Sequence, residues 1–332
     1  MRSIVVFNNK GGVGKTTLVC NLAAFLSIRK NKKVLVVDTD PQCNATAYMF
    51  PYPQIEELYT KPQDTIYEVI SPVQKGKGYF SGELPILTSE NFKVDVLIGD
   101  PRLSLTEDFL STDWLHGRSG EYRGLQTSLV FRELLSRVGD YDYVFFDVGP
   151  SLGALNRAVL LASEFFVVPM SSDIFSLRAL ENISVALKTW KDELTRGLAD
   201  YKKKEADGFT IGNSPVEWRL QFAGYVTQQY TAKTTEGKKQ PVKAYETIIK
   251  KIPHAITKHL VPLNSSTLSA DRIGEIQSLH SLVPLSQNSS VPIFDLKGSH
   301  GVVGAHFAKV KEYEKTIGSV ARQLQANLLA LE

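Results

Sequence analysis

Two lysines, three glycines and two threonines share one short stretch, Asn9-Lys10-Gly11-Gly12-Val13-Gly14-Lys15-Thr16-Thr17. Glycines let successive backbone N–H groups converge on phosphate oxygens without a Cβ in the way. A helix opening at Thr16 adds unpaired N–H donors and partial positive charge. Lys15 is then placed for the β- and γ-phosphates of a nucleotide, and the Thr16 hydroxyl for Mg²⁺. Three acids follow apolar runs. Asp38 and Asp40 close Val34–Val37 in Asp38-Thr39-Asp40-Pro41-Gln42-Cys43, and Asp147 closes Tyr143-Val144-Phe145-Phe146. Carboxylates at the C-terminal ends of parallel strands lie beside a phosphate loop. Phosphoryl transfer asks mainly for positioning and charge, so Asp38 suits Mg²⁺ and its waters, Asp40 an attacking water, and Asp147 Mg²⁺ through a water. Acids are also common in strand-end turns for conformational reasons alone, and at Asp38 and Asp40 both readings stand until the loop is counted with them.

The loop departs from the general phosphate-loop pattern at Asn9, where glycine is usual, and carries a second lysine, Lys10. Lys-Gly-Gly-Val-Gly-Lys-Thr-Thr is the deviant Walker A motif, and it resembles the ParA/MinD family of dimerising ATPases. The resemblance implies that Lys10 crosses a dimer interface to the partner's ATP, and that Lys10, Lys15 and Asp40 carry catalysis, with Asp40 the hydrolytic aspartate. It implies ATP contacts from Lys10, Gly11, Gly12, Val13, Gly14, Lys15, Thr16, Thr17 and Pro292, and Mg²⁺ held by Thr16, Asp38 and Asp147. It further implies a homodimer in the ATP state and slow turnover stimulated by a ParB-like or other partner. The chain departs from the family's Asp-Pro-Gln-Gly-Asn-Ala-Thr at Cys43, and from Asp-Cys-Pro-Pro-Ser at Val148 and Gly149. The resemblance is strong over 3–48 and 141–182, weaker over 290–310, and absent over 50–92 and 230–260.

These residues need rigid elements behind them. Strand Ile4–Phe7, the loop, a helix from Thr16 to Ile28 and a second strand Val34–Val37 make one parallel unit. Further strands are expected at Val94–Ile98, Tyr141–Phe146, Glu164–Pro169 and Leu220–Val226. Helices are expected at Leu103–Leu110, Leu125–Arg137, Ser176–Leu198, Tyr245–His259 and Gly304–Leu331. The pattern predicts an α/β fold with a doubly wound, mostly parallel sheet and helices on both faces, as in P-loop NTPases. The chain of 332 residues reads as a single domain, 1–332, with an irregular, proline-broken insertion at about 50–92 and a basic region at about 230–260. His116–Gly124 reads as an exposed polar loop.

Composition narrows the classes. The chain is 43% hydrophobic with a net charge of +3, so basic surface must be local. Cys20 and Cys43 have no zinc or disulfide spacing. Neither a leader nor an 18-residue apolar run is evident, so a cytoplasmic protein, nucleoid-associated if it binds DNA, is expected. Residues 188–258 hold fourteen Lys/Arg against eight acids. Lys233, Lys238, Lys239, Lys250, Lys251 and Lys258 could meet DNA phosphates without base specificity; a solvated basic face is the equal alternative. Ser278-Leu279-His280-Ser281-Leu282 stands where DNA-binding family members often place arginines. The last helix has an apolar stripe from Val310 to Leu331 and mixed charge opposite, which fits core or partner packing better than a membrane anchor. Two jobs follow from the resemblance: ATP-driven positioning of DNA or a protein cargo, or a regulatory ATPase subunit that binds no DNA. Iron–sulfur chemistry of the nitrogenase type lacks its cysteine after Asp147, and no small-carboxylate ligase signature is present.

Overall fold

The computed structural model describes residues 1–60, 65–228, 242–277, 279 and 281–332. Lys233, Lys238, Lys239, Ser278 and His280 lie outside them. The chain opens with β1 (Arg2–Val6), α1 (Lys15–Lys30), β2 (Val34–Asp38), α2 (Asn44–Met49), α3 (Tyr52–Thr60) and α4 (Ile66–Gln74). Next come β3 (Ile86–Ser89), β4 (Val94–Leu97), α5 (Glu107–Gly117), α6 (Tyr122–Ser128), α7 (Val130–Ser136), β5 (Tyr143–Asp147) and α8 (Ala154–Ala162). They lead to β6 (Phe165–Ser171), α9 (Ile174–Glu205), β7 (Thr210–Ile211), β8 (Ser214–Pro215) and β9 (Gln221–Gln228). The chain ends with α10 (Val242–His259), β10 (Arg272–Ile276), α11 (Leu282–Ser289) and α12 (His306–Leu331).

Among the described residues, eight strands form one sheet in the order β10-β9-β6-β1-β5-β2-β4-β3. Every neighbouring pair is parallel except β3–β4. Strands β2, β5 and β6 are buried at every position, because helices cover both faces. Alternation divides the core. Ile4, Val6, Val34 and Val36 pack with α1, α2 and α12, while Val5, Phe7, Leu35 and Val37 pack with α4 to α9. The doubly wound, mostly parallel sheet expected from the sequence is therefore present. The stripe Val310, Tyr313, Ile317, Val320, Leu324, Leu328 and Leu331 is buried within the chain along α12.

Two local expectations need correction, and a third holds in part. The insertion is not wholly irregular, since Ile86–Ser89 supplies the antiparallel edge strand. The expected helix Leu125–Arg137 is two helices, broken at Leu129 (φ −107°, ψ 17°). His116–Gly124 is exposed at six of its nine positions, as expected, but it joins the end of α5 to the start of α6 rather than being all loop, and Gly117, Gly120 and Gly124 are buried. A Cβ on Gly124 would run into the Gly117 amide, and one on Gly197 of α9 into the Gly117 carbonyl. These glycines let α5, α6 and α9 meet backbone to backbone.

Candidate functional site

The loop between β1 and α1 turns through left-handed backbone at Gly12 (φ 71°) and Gly14 (φ 73°). At Gly14 the positive φ is the constraint, and the Gln228 side-chain amide at the end of β9 fills the space where a Cβ would stand. Lys15 opens α1, and its Nζ donates to the Lys10 carbonyl at 3.2 Å. Burial pushes the Lys15 ammonium's pKa down, opposed by the nearby Asp147 and Asp40 carboxylates. The Thr16 hydroxyl donates to Asp147 Oδ2 at 2.8 Å.

Asp38 and Asp147 are register partners across the β2–β5 pair, so the sheet sets two fully buried carboxylates side by side. Asp38 Oδ2 accepts from the Thr46 N–H at 2.8 Å and the Thr46 hydroxyl at 2.7 Å. Burial still pushes Asp38 up to about 6. Asp147 is raised well above the usual carboxylate range by burial and then by Asp38, and its Oδ1 has no hydrogen-bond partner among the described residues. An orphaned buried carboxylate oxygen is expensive, and a cation beside it would remove the cost. Among the described residues no three His, Cys, Asp or Glu side chains converge as a metal cluster. Mg²⁺ keeps several waters and takes one or two carboxylates plus phosphate oxygens, donors of the kind that Asp147 and Asp38 offer.

Asp40 is 6% exposed, and its Oδ1 accepts from the Gln42 N–H at 3.0 Å. A Cβ on Gly149 would lie 3.3 Å from that same oxygen, so the Asp40 turn and the loop after β5 nearly touch. Asn156 holds the latter loop, donating to the carbonyls of Gly149 and Ser151, each at 2.8 Å. Glu107 accepts from the backbone N–H groups of Ala154 and Leu155, satisfying the start of α8. Cys43 has φ 51° and ψ 36°, the left-handed region that glycine occupies without strain. The glycine usual in the related motif thus has a conformational reason, and Cys43 occupies the same backbone at some cost.

Lys10 points away from the other loop lysine. Its Nζ donates to Ser171 Oγ at 3.1 Å and pairs with Asp173. Asp173 caps α9, accepting from the N–H groups of Phe175 and Ser176. Burial opposes ionisation of Asp173, yet hydrogen bonds from Lys10 and Ser171 hold its carboxyl below the usual range. Lys10, Gly11, Gly12, Ser171, Asp173 and Phe175 line a cleft of about 360 Å³. Phe175 in its wall is 73% exposed, and its chain neighbour Ile174 is 59% exposed.

Lys15, Thr16, Asp38, Asp40 and Asp147 therefore come together at one edge of the sheet, while Lys10 sits at the rim. Val13 is buried in the loop, and Thr17 accepts at its carbonyl from Asn21 of α1. Pro292 belongs to a distant segment tied to the same helix, since the Ile293 N–H donates to Asn21 Oδ1 at 2.8 Å. Sequence reasoning missed Thr46, Glu107, Asn156, Asp173 and Gln228. Only Asp173 had a local signal, an Asp ahead of an amphipathic run.

A parallel α/β sheet with a glycine loop opening its first helix and acids at adjacent strand ends defines the P-loop NTPase class of fold. A family model described as "AAA domain" matches residues 1–199, and the chain belongs to that family, of the ParA/Soj partition ATPase type. The chain is 31% identical over 188 residues to the chromosome-partitioning ATPase Soj of Thermus thermophilus, covering 57% of this chain and 62% of that protein. It thus spans less than two thirds of the curated relatives it matches. A solved Corynebacterium diphtheriae protein is 30% identical with a TM-score of 0.76, each chain covered in full. The ATP complex of a Cyanothece McdA variant is 16% identical with a TM-score of 0.60, covering 98% of this chain and 96% of that one, a likeness of fold alone.

Proposed function

We propose that this chain binds ATP with Mg²⁺ at the Lys10–Thr17 loop and hydrolyses it, switching between a monomer and an ATP-held dimer that positions a cargo. The observation that carries this reading is the orphaned Asp147 Oδ1, buried beside Asp38 and next to Thr16. Thr16 and Asp147 would hold Mg²⁺ and Asp38 would order its waters; the ion supplies charge neutralisation on the phosphates. Lys15 and the loop N–H groups would bind the phosphates. Asp40 would orient the attacking water, and Pro292 would border the base. Lys10 would act on the nucleotide of a second copy, a role supported by its place at the rim beside exposed Phe175. The whole chain, 1–332, is read as one functional unit. Light scattering with and without Mg²⁺ and a slowly cleaved ATP analogue tests the switch: mass doubles if the reading holds and stays unchanged if it fails.

DNA is the favoured cargo surface through Lys250, Lys251 and Lys258, which are exposed on α10. A ParB-like protein would stimulate turnover. A second reading, a regulatory ATPase that binds no DNA, is favoured by the stretch 278–282, which carries no arginine, and by the insertion at about 50–92. DNA co-sedimentation at several salt concentrations separates the two. Salt-sensitive binding lost in Lys250→Glu with Lys251→Glu supports the first.

A further inference from the structure

We infer that a cleft at the opposite edge of the sheet from the glycine loop binds a small phosphate-type oxyanion between Arg132 and Arg219. The cleft, about 240 Å³, lies where β1 begins and ahead of β6 and β9, with Ser3, Arg132, Ser136, Glu164, Gly212 and Arg219 in its wall. Neither arginine belongs to the nucleotide site, so the inference stands apart from the ATP reading.

Arg132 is the unusual group. It is partly buried on α7, and among the described residues its hydrogen bond is a single one, from Nη1 to the Ala162 carbonyl at 3.3 Å. No described carboxylate lies within ion-pair distance of it. Burial pushes its pKa down and the like charge of Arg219 pushes it further, opposed more weakly by Glu164 and Glu217. A partly buried guanidinium that shares a cleft wall with a second one gains from a negative group held between them. The nearby acids Glu164 and Glu217 compensate this only in part, since the net effect on Arg132 is still a lowered pKa. Glu164 spends Oε2 on the Ser3 N–H at 3.0 Å and the Ser3 hydroxyl at 3.2 Å. Glu217 pairs with Arg219 at 3.1 Å, but that pair is 67% and 39% exposed and so contributes little. Two planar guanidiniums offer paired donors that match the tetrahedral oxygens of phosphate. The ligand class is therefore inorganic phosphate or the phosphate of a small monoester.

The test uses the full chain carrying Lys15→Ala, which removes phosphate binding at the glycine loop. Thermal denaturation is followed with inorganic phosphate, with ribose 5-phosphate and with acetate at constant ionic strength. Stabilisation by either phosphate compound but not by acetate is expected. Tighter binding of the ester identifies an esterified ligand, and equal binding identifies free phosphate. Arg219→Gln, at an exposed position, should weaken binding about tenfold or more. Arg132→Gln should abolish it, and Arg132→Lys should restore part of it. Phosphate stabilisation unchanged in Arg219→Gln, or absent in the Lys15→Ala chain itself, overturns the inference. If Arg132→Gln does not fold, Arg219→Gln alone decides.

Discussion

Lys10 and Asp173 form an ion pair within one chain, and the same Asp173 carboxylate caps the longest helix of the fold. One side chain thus ties the glycine loop to α9. Asp173→Ala should cost about 1 kcal/mol through the lost cap, while Asp173→Asn, which keeps the capping oxygen, should cost less. Urea unfolding at unchanged m-value measures both.

Lys10→Ala should leave nucleotide affinity of the monomer nearly intact and weaken ATP-dependent dimerisation at least about tenfold, a loss of one charge-assisted contact. Nucleotide binding and sedimentation velocity are read side by side. Equal loss in both would deny Lys10 a role across an interface.

Asp40→Ala should retain ATP binding and lose hydrolysis by about a hundredfold or more, because a water-orienting group is removed and the phosphate cradle is not. The dimer should then persist after ATP is added. Hydrolysis at the parental rate would remove Asp40 from the reaction.

Asp147→Asn should stabilise the nucleotide-free protein by roughly 1–2 kcal/mol, since it replaces a carboxylate that burial and Asp38 hold far above its usual range. The amide oxygen introduced by the substitution can still accept from Thr16. The same change should sharply reduce the stabilisation given by Mg²⁺ with ATP. Thermal melts with and without ligand report the two effects, opposite in sign.

Gly124→Ala should destabilise by about 1–3 kcal/mol, because its Cβ has no space beside the Gly117 backbone. A neutral result in thermal melts would mean that α5 and α6 can separate there. Gly139, with open space around its Cβ position, serves as the control.

The chemistry-bearing groups at the sheet edge were legible in the sequence because each is announced locally: a glycine run after a strand, or an acid closing an apolar run. Alternation was less informative, since strands buried on both faces show none. The partners that hold the acids were not legible. Thr46 meets Asp38, Asn156 meets Gly149, and Gln228 meets Gly14 only through the fold. The packing role of Gly117, Gly120 and Gly124, within a stretch otherwise exposed, was not legible for a physical reason. Glycine serves exposed turns and touching helices equally, and a sequence does not say which backbone faces it. The strand Ile86–Ser89 was hidden because one edge strand, half-buried and flanked by a proline, lacks a strong pattern.

The close approach of Gly117 and Gly197 seats α9 against α5 near its C-terminal end. The helix runs about 35 Å from that point back to Asp173. Leu180, Ile183 and Leu187 are buried along that length, so the core grips the helix between its two ends. One rigid rod thus joins the glycine loop, through Asp173 and Lys10, to the basic run Lys202, Lys203 and Lys204.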